Sequence, residues 1–189
     1  MTERARRAEE TGARILEAVV SLYLHMPYDR ITLRAVAEHA GVSSQTVIRR
    51  FGDKDRLVAA AAQHTSSRVA VQRGLAPAGD LPGIVDNLLA HYEEHADLAL
   101  RLLADEEATP AIATITAMGR RLHRDWCARV FQPWLEDLPE ADRPRRLAQV
   151  VAVCDVYVWK VLRRDMGLGE SETRQALLEL LAPLTIGRP

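Results

Sequence analysis

The stretch from Ile31 to Phe51 constrains the fold most, because it holds two very short helical segments joined by a glycine. Thr32 can cap the first segment and Ser43 the second, since short hydroxyl side chains accept hydrogen bonds from the free N–H groups of a helix start. Gly41 can adopt the positive φ that a tight turn between crossed helices requires. Helices this short are unstable alone, so neighbouring helices must support them. The stretch predicts a helix-turn-helix unit.

The side chains of this unit divide into an inner and an outer set. The apolar residues are predicted to pack inward: Val36, Val42, Val47 and Phe51. A mostly polar set then faces outward from the second segment: Ser44, Gln45, Ile48 and Arg49. A firmly held helix with such an outer face suits the major groove of DNA. From the spacing alone, an ordinary helical hairpin with a solvated surface remains the alternative.

The rest of the first half also has the apolar periodicity of helices, and no segment alternates as a strand would. A first helix carries the apolar residues of 15–23 and stops at Pro27, because proline cannot continue a helix. Asp53 is placed to cap a long fourth helix that begins at Lys54. The segment 74–83, rich in glycine and proline, is predicted to connect to the second half of the chain.

Four more helices are predicted after this connection. The first carries the apolar residues of 84–103, and the second is capped by Thr109 and stopped by Pro133. The third runs over residues 142–162, and the last starts at Ser171. Together these patterns predict an all-α fold of eight or nine helices.

Composition indicates a globular chain and argues against several other classes. Hydrophobic residues make up 48% and charged residues 27%, which is typical of a folded protein. No apolar run approaches the roughly 18 to 20 residues of a membrane span, and residues 1–10 lack the apolar centre of a secretory signal. Cys127 and Cys154 show no metal-ligand spacing. We expect a cytoplasmic protein with two core thiols and no cofactor, metal or membrane contact.

Charge is unevenly distributed along the chain. Residues 1–68 carry 11 Lys and Arg against 8 Asp and Glu, whereas the remainder carries 14 against 18. Because DNA binding needs a basic patch and not a basic chain, this small asymmetry only indicates where a nucleic-acid site would lie.

Residues 11–61 closely resemble the DNA-binding domain of the TetR family of repressors. The matching segments are 13–18, Tyr28-Asp29, 32–43, Thr46-Val47, Arg49 and 51–55. The resemblance implies an N-terminal arm and helix-turn-helix domain over residues 1–53. It also implies a helical ligand-binding and dimerisation domain over residues 54–189, in which residues 54–73 form the connecting helix.

The resemblance implies DNA contacts for eight residues. They are Thr32, Arg34, Ser44, Gln45, Ile48, Arg49, Arg50 and Lys54. Thr32 and Lys54 match helix starts that contact phosphates. Arg34 matches a position that can reach a base edge, where a guanidinium suits guanine, and Gln45 could pair with adenine. Arg49 and Arg50 could contact either bases or phosphates.

Two positions depart from the family pattern. Ile48 stands where tyrosine is most frequent, so a polar phosphate contact is lost and a contact with a thymine methyl is possible instead. Pro27 replaces a frequent glycine and reshapes the loop after the first helix. Neither departure breaks the domain.

Two pairs at i, i+4 spacing in the second half suggest other chemistry. His91, Glu94 and His95 form H-x-x-E-H, the order of inverted zinc peptidases, but a third ligand is needed. His123 and Cys127 have the spacing of a base and a nucleophile. We favour helix surface or pocket lining as the interpretation of His91, Glu94 and His95. The spacing of His123 and Cys127 is interpreted as coincidental. A regulatory metal site and a small metal-dependent enzyme remain alternatives.

The resemblance also implies an apolar ligand pocket and a dimer interface. The predicted pocket residues are Tyr92, His95, Met118, Leu122, Trp126, Val130, Trp134 and Tyr157. The predicted interface residues are Leu147, Val151, Val158, Leu162, Leu177, Leu181 and Leu184. Two apolar stripes on the helix over 142–162 support the interface, since such a helix packs on both sides. Burial within one subunit is the alternative.

The helical patterns predict an all-α protein, and the resemblance implies a homodimeric repressor that binds a pseudo-palindromic operator in double-stranded DNA. A small, largely apolar effector would release it from that operator. The alternatives are a transcriptional activator, a regulator that has no ligand, and an interaction protein that has lost DNA binding. No catalytic residue is expected.

Overall fold

The computed structural model describes residues 2–186, and every regular element within them is helical. Ten α-helices follow in order: α1 Glu3–His25, α2 Leu33–Ala40, α3 Ser44–Phe51, α4 Lys54–Gly74, α5 Leu81–Ala104, α6 Pro110–Val130, α7 Gln132–Glu136, α8 Arg143–Val153, α9 Val156–Lys160 and α10 Glu170–Leu181. Short 3-10 turns cover Tyr28–Arg30, Glu140–Asp142 and Ala182–Leu184, and a π-helical turn over Val161–Asp165 extends α9. The all-α prediction is confirmed.

The chain forms two compact units. The first comprises the chain up to Arg68 together with Glu107–Ile115, and the second comprises Val69–Glu106 together with the chain from Thr116. The first unit therefore includes most of the predicted connecting helix, and it also includes a short segment of the predicted C-terminal domain.

In the first unit, α1, α2 and α3 each bury apolar side chains on one side of the helix. The buried apolar residues of α1 to α3 are Ile15, Ala18, Val19, Leu22, Tyr23, Val36, Ala37 and Val47. Helix α2 contacts both α1 and α3, so the two short helices are supported from α1. Val36 and Val47 are fully buried, as predicted, whereas Val42 and Phe51 are only partly buried.

The second unit has its own core, formed by α5, α6, α8, α9 and α10. Its large, fully buried side chains include Ile84, Leu88, Phe131, Trp159, Leu177 and Leu181. Helix α5 contacts α9 and α10, which places it at the centre of this packing. None of the described helices is long and apolar enough to cross a lipid bilayer.

The helix predicted over residues 142–162 is interrupted at Cys154 and Asp155, so that prediction is wrong. The backbone of Asp155 is extended, and its carboxylate accepts a hydrogen bond from the Tyr157 N–H at 2.9 Å, which caps the start of α9. The carbonyl of Cys154 accepts a hydrogen bond from the Tyr92 hydroxyl at 2.7 Å. The apolar spacing continues across the break, and for that reason the sequence pattern does not show it.

The region around Pro133 also differs from the prediction. Helix α6 ends at Val130, and Pro133 lies in the first turn of the short helix α7. Proline is tolerated there because the N–H that it lacks has no acceptor within a first turn. The last helix, α10, begins at Glu170, one residue before the predicted start at Ser171. The two interruptions explain why ten helices are found where eight or nine were predicted.

Candidate nucleic-acid interface

The helix-turn-helix is formed by α2, a turn at residues 41–43 and α3. The Thr32 hydroxyl accepts a hydrogen bond from the Ala35 N–H at 3.1 Å, and the Ser43 hydroxyl accepts one from the Thr46 N–H at 3.2 Å. Gly41 has φ +66°, in the left-handed region that glycine tolerates best. Both predicted caps and the predicted turn are confirmed.

The outer side of α3 is exposed, whereas Val47 anchors its inner side in the core of the first unit. Gln45 and Arg49 are exposed, and Ile48 is 50% exposed although it is apolar. Within residues 2–186, neither the Gln45 nor the Arg49 side chain has a hydrogen-bond or ion-pair partner. Helix α3 is therefore held by Val47 and exposes two polar side chains without partners in residues 2–186, together with one apolar side chain.

The predicted contacts near the start of each short helix are also accessible. Thr32 is exposed immediately before α2, and Ser44 is partly exposed in the first turn of α3. Arg34 is exposed on α2 and pairs with Glu38 at 2.8 Å. Because an exposed ion pair contributes little stability, Arg34 can exchange Glu38 for a base or a phosphate at small cost.

Lys54 is placed differently from the other predicted contacts. Its ammonium donates to the Tyr28 carbonyl at 2.7 Å and lies 3.9 Å from the centre of the Tyr28 ring. The Tyr28 hydroxyl in turn hydrogen-bonds the Asp55 carboxylate at 3.3 Å. Lys54 thus joins the 3-10 turn to the start of α4. A phosphate contact by its ammonium stays a prediction, and it competes with these intramolecular bonds.

Arg50 turns back onto α1 and does not point outward from α3. Its Nη1 donates to the Ala8 carbonyl at 2.8 Å. A Cβ atom at the buried Gly12 would lie 2.2 Å from Nη2 of the same guanidinium, so this approach needs a residue without a side chain. Sequence reasoning missed Gly12, because a glycine inside a helix carries no local sign of a partner 38 positions away. Nη1 of Arg50 is therefore already bonded, and a contact of Arg50 with DNA would use its other N–H donors or would require it to leave α1.

Replacement of Gly12 by alanine is expected to displace Arg50 while α1 stays folded. Alanine is favoured over glycine inside a helix by about 1 kcal/mol, and the lost hydrogen bond costs about 0.5 to 1.5 kcal/mol. The free energy of unfolding, measured by urea denaturation, should change by less than about 1 kcal/mol. In an Arg50→Ala background, Gly12→Ala should be stabilising. A loss of several kcal/mol in that background would show that another contact excludes a side chain at Gly12.

The residues predicted to line a pocket do not share one environment. Tyr92, Trp126 and Val130 are buried in the core of the second unit, and the Trp126 indole donates to the Arg73 carbonyl at 3.0 Å. The partly buried members are His95, Met118, Leu122 and Trp134. Tyr157 is 52% exposed, so we reassign it from the pocket to the surface of this unit. A pocket formed by the others stays a prediction.

The predicted interface residues also require a correction. Leu177 and Leu181 have no exposed surface in a single chain, so they belong to the core of the protomer and are removed from the interface set. The other five pack against the same core and keep some exposure: Leu147, Val151, Val158, Leu162 and Leu184. The exposed apolar side chains of the second unit include Tyr157, Val161 and Leu180, and none of these three is in the predicted interface set.

The two i, i+4 pairs have different surroundings in the structure. The His91 and His95 ring centroids are 5.1 Å apart, and His95 Nε2 lies 3.6 Å from the Glu94 carboxylate. Across residues 2–186, no three His, Cys, Asp or Glu side chains are grouped to hold a metal ion. His123 Nε2 lies 3.8 Å from Cys127 Sγ, but its Nδ1 contacts Arg73 at 3.0 Å and not an orienting carboxylate.

A capped, glycine-linked pair of short helices with an exposed polar face on the second defines a DNA-binding protein of the helix-turn-helix class. Residues 15–61 match the model of the bacterial regulatory proteins of the tetR family. Residues 15–61 therefore form a DNA-binding domain of the tetR family type.

The chain is also similar in sequence to two mycobacterial regulators and in fold to a solved structure. An uncharacterized HTH-type transcriptional regulator of Mycobacterium bovis is 41% identical over 125 residues, covering 60% of this chain and 65% of that protein. One of Mycobacterium tuberculosis is 44% identical over 50 residues, 26% of each chain. The fold resembles the crystal structure of a transcriptional regulator from a Rhodococcus species, with a TM-score of 0.69 at 17% identity, over 92% of this chain and 95% of that one. In sequence, the aligned region spans less than two thirds of the length of either mycobacterial relative.

Proposed function

We propose that this protein is a homodimeric transcriptional repressor that binds a pseudo-palindromic operator and is released from it by a small molecule. The outer face of α3 carries the proposal, since Gln45, Ile48 and Arg49 are exposed there on a helix that is capped by Ser43 and anchored by Val47. Side chains held on a rigid element recognise bases more selectively than side chains on a mobile loop.

Each exposed side chain of α3 suits a different feature of a base pair. Gln45 lies in the first turn of the helix, which approaches bases in a major groove, and its amide can pair with adenine. Ile48 offers an apolar contact to a thymine methyl, and Arg49 can donate two hydrogen bonds to guanine. The free N–H groups at the start of α2, beside Thr32, suit a phosphate. The face thus combines base recognition with backbone positioning.

Exposed apolar side chains in the second unit support a dimer. Tyr157 and Val161 are four residues apart, across α9 and the π-helical turn, and they are 52% and 47% exposed. Leu180 on α10 is 47% exposed, and α10 contacts this turn. A two-fold axis through this surface would pair the patch with itself and bury it. Two recognition helices would then read half-sites roughly 34 to 36 Å apart.

The release step requires only a modest difference in free energy between two states. A coupling of about 1 to 3 kcal/mol between effector and operator changes the operator affinity roughly 5- to 150-fold. A regulator without an effector, or an activator, would bind the same operator but would not be released by small molecules.

Selection of bound sequences from a random duplex pool tests the proposal. The selected sequences should share a two-fold symmetric consensus, and their affinity should fall steeply between two salt concentrations because phosphate contacts release counterions. An asymmetric consensus would contradict the homodimer. No enrichment over random DNA would contradict the regulator itself, and elemental analysis for a metal at His91 and His95 would then test the enzyme alternative.

A further inference from the structure

Arg73, near the end of α4, is buried in the second unit without a carboxylate partner. Only 6% of its surface is exposed. Its Nη2 contacts His123 Nδ1 at 3.0 Å, and its guanidinium carbon lies 3.7 Å from the centre of the Trp126 ring. Its Nη1 is also buried and has no hydrogen-bond partner. Within residues 2–186, no Asp or Glu forms an ion pair with it.

Such an arrangement is unusual for an arginine. A guanidinium stays protonated in proteins and has five N–H donors to satisfy. Buried charges are ordinarily paired with an opposite charge, because removing an ion from water is costly. The Trp126 face and the neutral nitrogen of His123 compensate only part of this cost. Among residues 2–186, Arg73 therefore has no carboxylate partner and its Nη1 has no acceptor.

A second unsatisfied polar atom lies close to this arginine. The Nδ1 atom of His91, on α5, is buried and has no hydrogen-bond partner. Burial, together with the positive charge of Arg73, lowers the pKa of His91 to about 2, so the ring is neutral at physiological pH. A neutral imidazole can carry its proton on Nδ1 and donate it. Two buried nitrogens on α4 and α5, Arg73 Nη1 and His91 Nδ1, thus lack partners in the second unit, and the second is a donor in the Nδ1–H tautomer.

The other groups near Arg73 are aromatic, thiol or apolar. The centre of the Tyr92 ring lies 5.9 Å from the Arg73 guanidinium carbon, and the Tyr92 hydroxyl donates its proton to the Cys154 carbonyl. Trp126, Cys127 and Cys154 are buried members of the core of the second unit. Although burial opposes it, hydrogen bonds from Cys154 and His123 and the charge of Arg73 lower the pKa of the Cys127 thiol. No carboxylate is among these described groups, so a carboxylate on an apolar body would suit both the charge and the surroundings of Arg73.

We propose that Arg73 binds the carboxylate of an apolar organic acid, and that such an acid is the effector in the function proposed above. The carboxylate would accept hydrogen bonds from Arg73 Nη1 and from His91 Nδ1, which would satisfy both orphaned donors and neutralise the buried charge. The apolar part of the acid would lie against the aromatic and aliphatic side chains of the same core. The role of the acid as an effector rests on the function proposed above, whereas the binding of the acid at Arg73 does not.

Matched acids and amides test the charge requirement on the unmodified protein. Octanoate and benzoate, with octanamide and benzamide as neutral counterparts, are titrated while tryptophan fluorescence and thermal stability are recorded, since Trp126 stacks on Arg73. At least one acid should bind roughly tenfold tighter than its amide, because the amide leaves the charge unpaired. Equal affinities, or no binding of either acid at about 10 mM, would overturn the proposal. Sulfate or phosphate binding as tightly as the acids would also overturn it.

An arginine substitution assigns the site. In Arg73→Met the preference for the acid should disappear, whereas Arg124→Met, an exposed arginine on α6, should keep it. The melting temperature of Arg73→Met should be unchanged or higher, because an unpaired buried charge does not stabilise a core. A preference that survives in Arg73→Met would refute the assignment. If that variant does not fold, the comparison of acids with amides on the unmodified protein still decides the charge requirement.

Operator affinity is then measured with and without the acid, so that a failure of the acid site can be distinguished from a failure of the proposed function. Acids that bind through Arg73 without changing DNA affinity would support the site and contradict its role as an effector site. Acids that bind to a protein with no operator would contradict the proposed function alone.

Discussion

Substitution of Arg49 by alanine is expected to weaken operator binding roughly 5- to 150-fold for each half-site, the range for loss of one good base contact. Arg49 is the exposed guanidinium of α3 that has no partner within residues 2–186, so its hydrogen bonds are available to DNA without breaking an existing contact. Arg50 on the same helix is bonded to Ala8 and Arg34 to Glu38, so both must give up a partner first. We therefore expect a larger loss at Arg49 than at either of these.

Fluorescence anisotropy with the selected operator and with a scrambled duplex measures this effect. Arg145→Ala removes the same charge from α8 in the second unit and serves as the control for net charge. Arg49→Ala should lose most of its discrimination between the two duplexes, whereas Arg145→Ala should keep it. An equal loss on both duplexes would mean that Arg49 contacts only phosphates. No loss on either would contradict α3 as the recognition helix.

The double substitution Tyr157→Glu and Val161→Glu is expected to convert the proposed dimer to a monomer and to reduce operator affinity by roughly 10²- to 10⁴-fold. The loss is large because a dimer binds its second half-site at a high effective concentration, and a monomer does not. Both side chains are about half exposed, so glutamates are tolerated in the monomer but are repelled across a two-fold axis.

Analytical ultracentrifugation gives the oligomeric state, and circular dichroism shows whether the variant is folded. A matched control places two glutamates at Val71 and Leu75, which are also exposed and apolar but lie at the end of α4. The control should remain dimeric with unchanged operator affinity. A dimer that persists in the Tyr157 and Val161 variant would place the interface elsewhere, and a control that dissociates would place it near the end of α4.

Short-range features of this protein were predictable from its sequence. The caps at Thr32 and Ser43 and the turn at Gly41 depend on atoms within four residues along the chain, and all three are present as predicted. The apolar periodicity predicted an all-α fold, since the spacing of buried residues in a helix is a local property. The exposed face of α3 follows from the same spacing once its start is known.

Long-range contacts decided the features that the sequence did not reveal. Arg50 lies against Gly12, and Lys54 is bonded to Tyr28, so two predicted DNA contacts already have partners in the first unit. The break at Cys154 coincides with a hydrogen bond to Tyr92, 62 positions earlier. Arg73 meets His123 across 50 positions, without any sign in the residues on either side.

The sequence by itself therefore determined the helical class and the helix-turn-helix, and it predicted a set of residues that could contact DNA. Only the tertiary structure decided which of those side chains remain available, which leucines belong to the core, and where a buried charge lacks a partner. The physical reason is that caps, turns and periodicity arise from neighbours along the chain. The availability of a side chain depends instead on which distant residues the packed helices bring beside it.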